Sequence, residues 1–399
     1  MAEKNRKFLV DALFEYDGCS CRAEKDIENV HPDEPPITKL KLTAVSSQPR
    51  HFSYEKKDGL NLTGPKGKVL SDNILGRLLS LKDGDADAHI EFFREYGFLF
   101  QISDKDYEAV DIETLMEFVR RIKVALRLMN SIALKKDYKQ IMISVAYLLY
   151  ARQVELVLQN ETILTCPHTF TKLIRDYAGF PDLTQDKEAF DTGKITIEDS
   201  LYKPSYKLDV DFINAIRGGY ETELKGSADP EFRSLAAMYA GLPECDENLR
   251  IIIDFFFHYQ LEYGVIKEVS YNRLSYYERR KKIDEDFSDE MKQALLIIAR
   301  IVLSEEINYG IRNIHPRYNP EDLSVTWKLN NLYEALYFSI FYMRPGIQIY
   351  KECANPNCSH GGYFLVDATN QKKDYCCGRC RGNAATARYR ATKKNGEKK

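Results

Sequence analysis

The chain has 399 residues, enough for two or three domains, and its 44% apolar and 29% charged residues are the make-up of a folded globular protein rather than a disordered tail. Its longest apolar runs, at 141–150 and 294–298, are too short to cross a bilayer, and the start of the chain lacks the apolar core of a secretory signal. A cytoplasmic protein with reduced thiols and no membrane partner is expected. The net charge of −3 is an uneven sum: residues 346–399 hold 11 Lys+Arg against 4 Asp+Glu, or +7, which leaves −10 on the rest.

Residues 1–88 read as an irregular α+β region. Phe8–Phe14 suits a strand or a short helix, and Lys39–Val45 alternates as a strand does. Gly64-Pro65-Lys66-Gly67-Lys68 lacks the spacing of a phosphate-binding loop and reads as a turn. Cys19 and Cys21 with His31 form a weak metal motif, read as incidental.

A mainly helical body is expected over 89–345. Asp111 is a suitable N-cap, and behind it Ile112, Leu115, Val119, Ile122, Leu126 and Met129 recur at helical spacing. A second helix is predicted from Tyr138 to Gln159. Residues 160–245 are broken by Pro167, Pro181, Gly193, Pro204 and Gly218-Gly219, so short strands such as 194–197 and short helices are expected there. Further helices are predicted from about 248 to 263, over 288–309 with Ser288 or Asp289 as cap, and over 328–343. Pro345-Gly346 ends the last of these and marks a hinge.

The tail carries the most specific signal. Five of the nine cysteines fall within residues 353–380. Cys353-x4-Cys358 and Cys376-x3-Cys380 make two chelating loops seventeen residues apart, and four thiolates fill the tetrahedral shell of one structural zinc ion. Cys376 and Cys380, at i and i+4, can face one side of a starting helix. Cys377 is then a spare thiol, although it or His360 can replace one of the four. A closed thiolate shell leaves no position for a reacting water, so a catalytic zinc is not expected.

The run Tyr375-Cys376-x3-Cys380-Arg381-Gly382-Asn383-Ala384-Ala385, continuing to Arg388 and Arg390, resembles the C-terminal CGNR-type zinc finger of bacterial regulators. Cys353-x4-Cys358 leading into Tyr363–Asp367 fits the same pattern. The family's Cys-Gly-Asn-Arg reads Cys380-Arg381-Gly382-Asn383 here, with an extra arginine and none directly after Asn383. The detailed resemblance covers about residues 350–394. It implies a treble-clef-like four-cysteine knuckle plus helix on a helical body that senses a small-molecule or protein signal and dimerises.

After Cys380 the sequence reads as a basic helix. Ala384, Ala387 and Ala391 share one face, small enough to press on the knuckle, and Arg381, Arg388, Arg390, Lys393 and Lys394 are the candidate nucleic-acid contacts. Tyr389 either stacks on a base or packs on the knuckle.

The expected fold is mainly α, with an α+β N-terminal part (1–88), a helical sensory or dimerisation body (89–345) and a zinc finger (346–399). The expected function is zinc-dependent DNA binding in transcription regulation, with a protein-interaction module or an RNA-binding factor as alternatives. The signatures of zinc proteases, serine hydrolases and zinc deaminases are absent. Cys166-Pro167-His168 sets a thiol beside an imidazole in sequence only, and no enzyme is expected.

Overall fold

The computed structural model describes residues 14–18, 21–28, 37–44, 50–55, 59–64, 68–102, 107–133, 136–159, 161–178, 229–240, 246–282, 286–318, 320, 325–343, 348–355, 358, 362–370 and 372–396. About 50% of the described residues are helix and about 25% strand, so the expectation of a mainly α chain understates the strands. Those strands are short, three to eight residues each, which leaves few positions over which to read a period. The chain forms two compact units, one of residues 1–126, 154–165 and 307–399, the other of 127–153 and 166–306. Residues 1–88 and 346–399 both belong to the first.

The first unit opens with strands, within the region expected to be irregular α+β. β1 (Phe14–Gly18), β4 (Arg50–Glu55), β5 (Gly59–Thr63) and β6 (Val69–Ser71) form one antiparallel sheet in the order β1-β4-β5-β6. β2 (Cys21–Glu28), β3 (Ile37–Ala44) and β7 (Tyr107–Asp111) form another in the order β2-β3-β7. The alternation from Lys39 appears in β3, where Leu40 and Leu42 are fully buried. Cys21 is a core residue whose thiol donates to the Phe93 carbonyl at 3.6 Å; Cys19 and His31 lie outside the described residues. The Gly64–Lys68 stretch closes with Gly64 N–H donating to the Lys68 carbonyl at 2.8 Å, and residues 65–67 and 8–13 lie outside the described set.

Helices α1 (Ile74–Ser80), α2 (Ala86–Tyr96) and α3 (Ile112–Ala133) follow. Asp111 caps α3 through Thr114 N–H at 2.8 Å, and every residue of the predicted apolar stripe is buried. Phe98, Phe100, Phe118 and Tyr333 pack edge to face at 5.4–6.0 Å between centroids, geometry that adds to their area burial.

Two predicted helices are shorter than expected. α4 (Tyr138–Tyr150) stops nine residues before Gln159 because β8 (Glu155–Val157) pairs with β9 (Thr162–Leu164), burying Leu156 and Ile163. The helix predicted from 328 begins at Leu332 as α9 (Leu332–Tyr342, after the helices of the second unit), because β13 (Val325–Lys328) pairs with β12 (His315–Tyr318). Asn331 caps it by accepting from Glu334 N–H at 2.9 Å, while Glu334 reaches back to Asn330 N–H at 2.8 Å.

In the second unit α4 is joined by α5 (Thr169–Ala178), α6 (Pro230–Ala240), α7 (Glu247–Tyr263), the hairpin β10 (Ile266–Ser270) with β11 (Arg273–Tyr276), and α8 (Asp289–Gly310). Its core is aromatic: Tyr150 and Phe170 pack on Phe256 at 5.2 and 5.8 Å, and Tyr239 stacks on Phe257 at 4.2 Å. Ser288 caps α8 through Met291 N–H at 3.2 Å. Pro181, Gly193, Pro204, Gly218-Gly219, the 194–197 strand and the Pro345-Gly346 hinge lie outside the described residues.

One device in the first unit bears directly on the tail. Asn73 sits in the left-handed region at φ 58°, caps α1 by accepting from Gly76 N–H, and takes a bond from its own N–H to Asn61 of β5. Its side-chain amide also donates to the Tyr363 carbonyl at 2.5 Å. Gly76 is required beside it, since a Cβ there would stand 2.3 Å from the Asn73 amide. Asn73→Ala is expected to lose about 1–2 kcal/mol through the cap alone, measured by urea unfolding followed through Trp327. Asn73→Gly should recover part of this, because glycine tolerates the left-handed backbone.

Candidate metal centre and basic groove

The chelating loops are held by a hairpin and a helix start. β14 (Gln348–Glu352) pairs with β15 (Tyr363–Asp367), and Ile349, Phe364 and Val366 face inward. Cys353 follows β14 at once, its N–H donating to the Gly362 carbonyl at 2.6 Å. Gly362 takes φ 68°, a backbone region that favours glycine. The next residue, Ala354, donates to the Asp374 carbonyl at 2.8 Å, and Lys351 pairs with the Asp374 carboxylate at 2.6 Å. The segment before Cys376 is thereby tied to the strand that delivers Cys353. α10 (Gly378–Gly396) then carries Cys380 in its first turn.

Cys353, Cys358, Cys376 and Cys380 bring their sulfurs within 4.8 Å of one another. Cys376 Sγ lies 3.8 Å from Cys353, 3.6 Å from Cys358 and 3.4 Å from Cys380, and Cys380 to Cys358 is 3.7 Å. Metal–thiolate bonds of about 2.3 Å at tetrahedral angles give sulfur–sulfur edges of about 3.8 Å. The four cysteines can therefore hold one metal ion with little rearrangement. Burial, and then the surrounding thiols, push the Cys376 thiol well above its ordinary pKa, so a cation must displace protons to bind.

Cys377 stands outside this quartet although its sulfur is 3.8 Å from that of Cys376. It occupies the start of α10, where its carbonyl accepts from Arg381 N–H at 3.2 Å. The backbone N–H groups of Cys380 and Arg379 hold its thiol below the ordinary value. His360 lies outside the described residues.

The helix redistributes the predicted contacts. Ala384 is buried, whereas Ala387 is exposed, so the alanine face is narrower than the sequence implies; the Ala391 side chain is not among those described. Arg381, Arg388 and Arg390 are all exposed, but they do not share a face. At 100° per residue Arg390 falls about 180° from Arg381, and it joins Arg379, Asn383 and Thr386 in a stripe about 60° wide. All four residues of that stripe are exposed. Lys393 and Lys394 extend the helix, and their side chains, with that of Tyr389, lie outside the described set.

Arg381 and Arg388 instead line a groove of about 680 Å³ with Lys372, Lys373, Asp374 and Tyr375. Arg388 donates to the Tyr375 hydroxyl at 3.0 Å and the Ala384 carbonyl at 3.4 Å, which fixes its guanidinium beside the knuckle. Lys373 lies over the Phe364 ring at 5.4 Å. The groove holds four cations to one anion, and that anion pairs with Lys351. Lys372, Lys373 and Arg379 were missed from sequence because they lie inside or just ahead of the cysteine motif, where spacing draws attention to the thiols alone.

Replacing Cys376 or Cys380 by Ser should remove one equivalent of bound metal, whereas Cys377→Ser should retain it, as read by elemental analysis after gel filtration. Because the ligands must be deprotonated, acidification to about pH 5 should release the same equivalent. The chain matches no family model, no curated protein and no solved structure.

Proposed function

We propose that this chain is a zinc-dependent DNA-binding protein, a bacterial transcription regulator in which a structural zinc ion aims the basic helix α10. Zinc suits four thiolates at tetrahedral spacing better than harder divalent ions do. The family resemblance from Tyr375 to Arg390 supports the same reading.

The observation that carries it is the exposed stripe Arg379, Asn383, Thr386 and Arg390 on a helix whose start is pinned by two of the thiols. Arg pairs bidentately with guanine and Asn with adenine in a major groove. The separate groove of Lys372, Lys373, Arg381 and Arg388 at the helix N-terminus suits a backbone phosphate, which positions without specifying. The second unit, with its aromatic core, is the element we assign to signal reception. Among the described residues no helix is long and apolar enough to cross a membrane.

The two cationic surfaces give separable effects. Selection from random duplexes should yield a preferred sequence. Arg379→Ala and Arg390→Ala should each cost about 1–3 kcal/mol against it and relax specificity. Lys372→Ala with Lys373→Ala should instead weaken all duplexes alike and flatten the salt dependence by about two units of log–log slope. Binding that ignores salt would replace this reading with a protein-interaction module, and preference for single-stranded RNA would replace it with an RNA-binding factor.

A further inference from the structure

The second unit contains a buried cluster that the tail does not explain. Cys166 and His168 precede α5, with the His168 carbonyl accepting from Lys172 N–H at 3.0 Å. Glu305 and Glu306 lie on α8. The Cys166 sulfur, a His168 ring nitrogen and a Glu306 carboxylate oxygen stand within 4.8 Å of one another, and all three residues are buried. His168 and Glu306 have fully buried side chains. A carboxylate at that depth is neutralised by a proton, by a charged partner or by a metal ion.

The polar contacts are arranged in two tiers. His168 Nε2 faces Glu306 Oε2 at 3.0 Å. On the other side of the ring, His168 Nδ1–H donates to Glu305 Oε2 at 2.7 Å, and Glu305 is itself held by the Thr169 hydroxyl, which donates to Oε1 at 3.1 Å. A histidine that ligates a metal through one nitrogen characteristically donates its other N–H to a carboxylate, which fixes the ring and raises its basicity. Glu305, set by Thr169, stands in that place. The Cys166 thiol points at the Glu305 carbonyl at 3.7 Å. The separation from Nε2 to Oε2 is a few tenths of an ångström short of the ~3.3 Å between ligands on a tetrahedral zinc ion. A small outward shift of Glu306 makes the fit. A cavity of about 560 Å³ is lined by Thr169, Ser304 and Glu305, beside the cluster.

We propose that Cys166 Sγ, His168 Nε2 and Glu306 Oε2 form a second metal site, for a divalent ion of zinc's class, with Glu305 as a positioning residue. One thiolate, one imidazole and one carboxylate are a borderline-soft set that suits zinc and excludes calcium or magnesium. Three protein ligands leave a fourth position for water or for a donor entering from the cavity. The sequence spacing gave no warning, because Glu306 is 138 residues from His168.

The test is metal loading of the full chain with zinc alone, followed by elemental analysis, and with cobalt(II) alone, followed by visible absorption. The wild-type chain should hold two equivalents. Cys376→Ser combined with Cys380→Ser should hold one, with the weak thiolate-to-cobalt band of a single sulfur ligand, and adding His168→Gln should abolish it. Glu305→Gln lies at the partly exposed edge of the cluster and should leave the helical circular dichroism unchanged. It should weaken zinc binding in the double-serine background by about 10–100-fold, read by competition with a chromophoric chelator. A double-serine chain that folds by circular dichroism but binds no zinc or cobalt overturns the proposal, as does zinc affinity unaffected by Glu305→Gln. Neither outcome touches the tail site, whose equivalent is read in His168→Gln alone.

Discussion

The tail depends on four sulfurs meeting at one point. Of the described side chains of α10 only Cys380 and Ala384 are buried, and one buried methyl group contributes about 0.8 kcal/mol. Apolar packing of that size cannot hold a nineteen-residue helix in one direction. The thiol quartet can, because it joins the end of β14, the loop at Cys358 and the first turn of α10 at sulfur–sulfur distances of 3.4–3.8 Å. A cation there converts a frayed basic segment into a rigid one. Every cationic side chain on the helix inherits its direction from that point.

The knuckle is in turn seated on the early part of the same unit. Asn73 connects β5, the start of α1 and the Tyr363 carbonyl of β15. Tyr350 of β14 is buried, its hydroxyl pressed so close to Gly59 that a Cβ there would stand 2.9 Å away. Gly59 of β5 and Asn73 at the start of α1 therefore seat a hairpin that lies some 290 residues later in the chain.

Charge is partitioned along the same lines. The acidic excess lies on the body and the basic excess on residues 346–399, which favours approach of an anionic partner to the tail and disfavours its contact elsewhere. Within the tail, the helix sorts the cations again. Arg388 is spent on Tyr375 and lines a groove with Arg381, while Arg379 and Arg390 project from the other side. The buried His168 with its two glutamates follows a different rule. Burial alone would lower the imidazole's pKa, but hydrogen bonds to Cys166, Glu305 and Glu306 outweigh it and hold the value well above the ordinary one.

What the sequence determined alone was local: the two cysteine loops, the Asp111 and Ser288 caps, and the apolar stripe of α3, because chelate spacing, capping chemistry and a 3.6-residue period are all written within one element. The platform under the hairpin was not legible, since a five-residue strand buried throughout, as β5 is, shows no alternation. The early ends of α4 and the late start of α9 were hidden for a related reason, as each yields to a hairpin pairing that propensity does not encode. The tertiary structure gathers Cys376, rather than Cys377, with the other three thiols, as the i, i+4 spacing to Cys380 implied. The tertiary structure alone brought Cys166 and His168 to Glu306, for contacts between distant segments are set by packing and leave no mark in the order of residues.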